Sequence, residues 1–227
     1  MDKDFLSQRC FCILSGISGI AGVFLMMLSF AINSAPPPGI TIADLVKFGQ
    51  QHYAAILWGA WLQAVGPVLI VLFALALVHL AGATQRLSGW MTLLGASILM
   101  TVSLIEITFY ISAMTTDPPM MPLVSLRLIF AVQHLYFIVA APGLFLPLGI
   151  VLLNSRILPR IFGYLALGLA ITFAALGAIF MLRLTLPGPV TAVAGVQALW
   201  WLAAAITLMV RSGKISSSVN QAESAVS

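Results

Sequence analysis

The sequence predicts an all-α polytopic integral membrane protein, a bundle of six transmembrane helices, and three observations carry that prediction. Hydrophobic residues make up 61% of the 227 and charged residues only 7%, against about 25% charged in an ordinary soluble domain. A soluble chain of this size would lack the polar surface needed to cover such a core. The charges are also grouped, at residues 1–9, at Arg86, at Arg156 with Arg160, and at residues 211–214. The apolar runs between them are about 20 residues long, the length that crosses the hydrocarbon of a bilayer. Finally, Lys and Arg alternate in density from one connection to the next, as topology requires. Residues 1–211 therefore read as one transmembrane domain.

The first span covers about 11–32. A signal peptide is the rival reading, with Lys3 and Arg9 as its charged region. The apolar stretch is longer than the roughly 7–15 residues of a signal core, and Pro36 follows the small-residue site Asn33-Ser34-Ala35 where it would obstruct cleavage. The span is expected to stay as an uncleaved helix. Ser15/Gly19 and Ser18/Gly22 form small-xxx-small pairs that admit a close neighbour. Pro36-Pro37-Pro38-Gly39 then stops the helix, because proline fixes φ and has no N–H to donate.

Thr41 followed by Asp44 resembles a capping box, and Ile42, Leu45 and Phe48 share a face. A short amphipathic helix over about 41–50, lying at the interface, is the expected result. The second span covers about 53–80, with Trp58 and Trp61 as interfacial aromatics and Pro67 as a source of bending. The third covers about 88–114 and is closed by Asp117-Pro118-Pro119. The fourth, about 123–153, contains Pro142-Gly143 and Pro147 and is expected to bend. In the fifth, about 161–182, Ala166, Ala170, Ala174 and Ala178 suggest a packing stripe. The sixth covers about 190–210. From 212 to 227 the serines, Asn220 and Gln221 read as a disordered cytoplasmic tail. The segments at 85–90 and 159–164 echo one another, each with Arg, then Gly, then an aromatic at a helix start. That is either a trace of duplication or ordinary interface chemistry.

Placing both termini in the cytoplasm puts Lys3, Arg9, Arg86, Arg156, Arg160, Arg211 and Lys214 inside and Lys47, Arg127 and Arg183 outside. The excess of basic residues inside supports that orientation. The net charge of +4 is then a matter of topology. No cluster of Lys and Arg with polar or aromatic neighbours points to nucleic acid.

An ionisable group in the hydrocarbon costs about 2.5–3.5 kcal/mol or more, so each such group calls for an explanation. Glu106 stands about eight residues from the outer end of the third span, roughly 12 Å deep. Ser103 and Tyr110 share its helix face at i−3 and i+4. The fourth span carries Arg127, Gln133 and His134, with Arg127 and His134 seven residues apart and so on one face. Gln63 and Gln197 fall at a similar depth, and Arg183 ends the fifth span at the same surface. These positions mark an outward-facing polar pocket holding Glu106, Arg127, His134, Gln63, Gln133, Gln197, Ser103 and Tyr110. A purely structural ion pair between Glu106 and Arg127 or His134 is the competing expectation. The glutamines equally serve as hydrogen-bond partners between helices.

Other chemistries lack their residue patterns. Cys10 and Cys12 have no nearby His or third Cys to complete a metal site. His52, His79 and His134 lie at different depths, unlike the facing pair that a bis-histidine haem needs. There is no H-E-x-x-H, no G-x-S-x-G and no phosphate-binding loop in the sequence. No cofactor is called for, and no residue set names a reaction.

The stretch Pro147-Leu148-Gly149 followed by residues 155–164, Ser-Arg-Ile-Leu-Pro-Arg-Ile-Phe-Gly-Tyr, resembles a bacterial membrane-protein family known as domain of unknown function 4386. The Ala74-Leu75-Ala76-Leu77 run is also similar. The resemblance implies a six-helix protein of this length in a bacterial cytoplasmic membrane, and it implies no activity. Two functions follow as expectations. One is binding or transport of a small molecule or ion through the polar pocket. The other is a structural or accessory role, with the Gly/Ala faces receiving a second copy or a partner membrane protein.

Overall fold

Six helices long and apolar enough to cross a membrane make up the computed structural model, which describes residues 3–33, 36–37, 40–115, 121–182 and 187–224. No strand occurs among the described residues. The chain is an all-α bundle and a multi-pass membrane protein. In chain order the helices are α1 (Lys3–Ile32), α2 (Ile42–Gln51), α3 (Tyr53–Leu80), α4 (Leu87–Thr115), α5 (Met121–Leu135), α6 (Ala141–Leu153), α7 (Arg160–Met181) and α8 (Pro187–Ser224). A π-turn, Tyr136–Ala140, joins α5 to α6, so these two make a single span. The expected closure at Asp117-Pro118-Pro119 and the side chain of Arg183 lie outside the described residues.

Local signals account for the helix ends. Thr41 caps α2: its Oγ1 accepts from the Asp44 N–H at 3.2 Å and donates to Asp44 Oδ2 at 2.7 Å. At the end of α3 the N–H of Ala83 reaches the Val78 carbonyl and that of Gly82 reaches His79. This is the Schellman arrangement, and it places Gly82 at φ 61°, a conformation that disfavours side chains. Gly89 and Gly163, the glycines of the echoed segments, each let a helix close on its predecessor. An added Cβ would strike the Ala83 carbonyl at Gly89, and Leu153 and the Gly149 carbonyl at Gly163.

The spanning segments form a closed ring in sequence order, each packed on the next, with α8 returning to α1. Small residues make the closest approaches. Ser18 Oγ donates to the Leu69 carbonyl and Ser29 Oγ to the Gly59 carbonyl, both at 2.8 Å, tying α1 to α3. Between them Gly22 and Gly66 touch, so that a Cβ on Gly22 would lie 2.8 Å from the Gly66 oxygen. Gly19 receives Phe73 and Ala205, and Ser15 is satisfied within its own helix by the Phe11 carbonyl at 2.7 Å. The small-xxx-small pairs of α1 thus serve two neighbours, α3 and α8. In the centre Phe73, Phe145, Phe173, Trp200 and Trp201 meet as one aromatic core.

At three places the structure adds to the expectations. The bend in the fourth span takes the form of the π-turn, in which the Ala141 N–H bonds to the Tyr136 carbonyl five residues back. Pro142 supplies the reason: it has no N–H, its ring crowds the carbonyl four residues earlier, and one extra residue in the turn relieves that clash. The alanine stripe of α7 is buried only at Ala166 and Ala170, whereas Ala174 and Ala178 are exposed. A strict four-residue repeat drifts about 40° per step, so the buried face follows Gly163, Ala166, Ala170, Phe173 and Gly177 instead. Finally, of the segment read as a tail from residue 212, the described part is helical: Ser212 is 3% exposed and α8 continues to Ser224. Residues 212–224 contain no proline, and an established helix adds residues at low cost.

Candidate functional site

The half of the bundle opposite the chain termini, hereafter the distal half, gathers the polar side chains. Glu106 on α4 is 8% exposed and Gln63 on α3 is 6% exposed, both in the interior. Gln133 on α5 donates its Nε2–H to Glu106 Oε1 at 2.9 Å. Gln63 stands within hydrogen-bonding range of the same carboxylate. Two neutral amides from two different helices therefore hold Glu106. Ser103 is buried one turn before it on α4, and Tyr110, one turn after it, is half-buried and close enough to interact with its charge.

A second polar pair adjoins the first. Tyr136, in the π-turn, donates its hydroxyl to Gln197 Oε1 on α8 at 2.7 Å and also lies within the field of Glu106. Tyr136 is absent from the residues the sequence singled out. The available signal was its position three residues beyond Gln133, which places both on adjoining parts of one helical face. A tyrosine at that depth also needs a partner for its hydroxyl. The π-turn strengthens the effect, because local widening re-aims the side chains around it.

The expected cations do not join the cluster. Arg127 is exposed on α5. His134 is half-buried, with Nδ1 at the Phe130 carbonyl and its ring edge-on to Phe180 on α7, centroids 5.4 Å apart. The reason is angular. Ser125, Ile129 and Val132 define the buried face of α5. Arg127 and His134 each lie two residues past a member of that face, about 200° round the helix. They do share a face with each other, as their spacing required, but it is the outer one. No ion pair to Glu106 forms among the described residues, and the groups acting on its carboxylate are amides.

Below the polar pairs the aromatic core continues. The ring of Tyr136 meets Phe173 edge-on at 5.7 Å, Phe173 stacks on Phe145 at 6.2 Å, and Phe145 meets Trp201 at 5.3 Å. Trp200 satisfies its indole N–H with the Phe162 carbonyl at 3.0 Å. Its neighbour Trp201, 1% exposed, has a buried Nε1–H without a partner. Such a donor costs about 1–3 kcal/mol when left unmade. Among the described residues no three His, Cys, Asp or Glu side chains come together as a metal site would require.

What the arrangement can do follows from charge. Amides satisfy the lone pairs of a carboxylate without neutralising it. In a low-dielectric interior the remaining charge is balanced by a proton or by a cation. Comparison with protein-family models, with curated proteins and with solved structures returned no match.

Proposed function

We propose that this chain binds a small molecule or ion within the bilayer and moves it across, with Glu106 as the group that holds it. The observation that carries this reading is a buried carboxylate whose partners are neutral amides from α3 and α5. A purely structural polar layer would be served at lower cost by a glutamine at 106, which makes similar hydrogen bonds and carries no charge. Tyr136 and Gln197 extend the site toward α8. Protein reconstituted in liposomes should show solute or proton flux that Glu106→Gln abolishes. Equal flux through both proteins sinks the proposal.

The second reading is a structural or accessory role. It is supported by hydrogen bonds that join helices, Gln133 to Glu106 and Tyr136 to Gln197, and by small residues left outward, such as Gly168 and Gly195, where an added Cβ meets nothing within 4 Å. Those faces would receive a second copy or another membrane protein. Under this reading Glu106→Gln alters assembly or stability and no flux exists in either protein.

The orientation belongs to the same proposal. The weight of Lys and Arg supports cytoplasmic termini, with the polar cluster in the outer half of the membrane; a bacterial cytoplasmic membrane is what the resemblance implies. Membership of the family known as domain of unknown function 4386 is the lineage proposed from the 155–164 stretch.

A further inference from the structure

Three arginines stand where spans leave the hydrocarbon, on the face of the bundle that carries the chain termini. Arg160 opens the span Arg160–Met181, and Arg211 lies two residues from the end of the span Gly188–Gly213. Arg156 comes three residues after the span that ends at Leu153. Arg156 and Arg160 flank a connection that is pinned to the core. Ile157 and Leu158 between them are 6% and 2% exposed, and Ser155 Oγ donates to the Leu152 carbonyl at 3.2 Å. Arg211 crosses from α8 to the same connection, where its Nη2–H donates to the Arg156 carbonyl at 3.3 Å. Arg211 is half-buried, whereas Arg156 and Arg160 are exposed.

The charge at this place is not balanced from within. Between Asp117 and Glu223 the sequence holds no Asp or Glu, so neither the connection nor α6 or α7 offers a carboxylate. An arginine that only sets topology needs no more than water around it. Arg211 instead gives up part of its hydration and is held at the α6–α7 connection by a neutral carbonyl. A phosphate suits such a place, since it accepts two N–H groups of a guanidinium fork at once. The ends of spans lie at the depth of lipid headgroups, so the nearest phosphates are those of the bilayer. The first turn of α7 adds to the attraction. Pro159 gives it no side-chain cap, which leaves N–H groups and the positive end of the helix dipole beside Arg160. Deeper in the hydrocarbon, α7 exposes Ile161, Tyr164 and Leu165 and α8 exposes Ile206 and Val210, surfaces for acyl chains to cover. A soluble anion would use the arginines and leave those surfaces out, and a zwitterionic lipid would bring a cation of its own.

We propose that Arg156, Arg160 and Arg211 form a binding site for the phosphate of an anionic phospholipid, which clasps the end of α8 to the α6–α7 connection. The site is separate from the cluster around Glu106 and does not depend on its role. Titrating the full-length protein in detergent with phosphatidylglycerol or phosphatidylcholine, and counting bound lipids by native mass spectrometry, tests it. The expected result is a first phosphatidylglycerol bound about tenfold or more tightly than phosphatidylcholine. Each basic residue at a membrane surface is worth about a fivefold change in affinity, so Arg211→Gln should weaken that binding by about this factor. Replacing all three arginines by glutamine should remove the preference between the lipids. Arg211→Lys keeps the charge and loses the fork, and should still bind about twofold to threefold more weakly than the wild type. The clasp has a readout of its own: phosphatidylglycerol should raise the Tm of the wild type more than phosphatidylcholine does, and the two lipids should act alike on Arg211→Gln. Equal affinity of the wild type for both lipids overturns the proposal. So does full recovery with Arg211→Lys, the mark of a diffuse basic surface. Displacement of bound phosphatidylglycerol by inorganic phosphate at matched concentration would make the site one for a soluble anion, and the proposal would fall.

Discussion

Glu106 sets the terms at the scale of single residues. A carboxylate in the apolar interior asks for donors, and Gln133 and Gln63 supply them without the desolvation cost that a second buried charge would add. Gln133→Leu removes one donor from the carboxylate and should destabilise the protein by about 1–3 kcal/mol in detergent unfolding titrations. Glu106→Leu combined with Gln133→Leu should recover part of that loss, with a coupling of about 0.6–1.7 kcal/mol. Strict additivity in the cycle would mean that the 2.9 Å contact contributes nothing to folding. That a charge stands at Glu106 within a span was legible in the sequence from its position alone. That its partners are amides was not, because one residue of difference between Gln133 and His134 is about 100° of helix rotation. Depth is a one-dimensional quantity, and facing is not.

Among the elements, close approach is governed by where small residues meet backbone. Gly95 on α4 lies against the backbone of Gly143 on α6, so an added Cβ would strike the Gly143 carbonyl. Gly95→Val should cost about 1–3 kcal/mol or prevent assembly of the α4–α6 pair, read as loss of monodisperse protein or a lowered melting temperature. Gly168→Val on α7, where a Cβ meets nothing within 4 Å, should leave both readouts unchanged. A large effect at Gly168 would instead mark that face as an interface with a partner helix. Helix composition does not distinguish these two glycines. The alanines of α7 teach the same point, since only Ala166 and Ala170 of the four meet a neighbour. The π-turn was foreshadowed by Pro142, yet its consequence, the placing of Tyr136 opposite Gln197, depends on α8 being there to receive it.

For the whole molecule, six spans put the two termini on one face of the bundle. Single cysteines introduced at Thr84 and Asn154 into a background lacking Cys10 and Cys12 should be labelled from the same side as the N-terminus, and one at Ile40 from the opposite side. In intact cells an impermeant thiol reagent should reach only the cysteine at 40 under the proposed orientation, which the distribution of basic residues supports. Labelling at 84 or 154 under those conditions would reverse the orientation and carry the polar cluster to the inner half of the membrane. The closed ring, with α8 returning to α1, also explains why the spans differ in burial. Residues of α3 and α6 reach the aromatic core, while α4 turns Ser97, Thr101 and Thr108 outward and satisfies each hydroxyl on the carbonyl four residues back.

The helical class and the number of spans were determined by the sequence alone. These depend on one coordinate, position along the bilayer normal, which hydropathy and helical rise measure directly. The order of helices around the ring and the face that each polar residue presents were decided only by the tertiary structure. They depend on rotation about helix axes and on which small residues meet across an interface, and those are properties of pairs of helices. So Glu106 was foreseeable as a buried charge, whereas its neutral partners and the pairing of Tyr136 with Gln197 belong to the packed bundle.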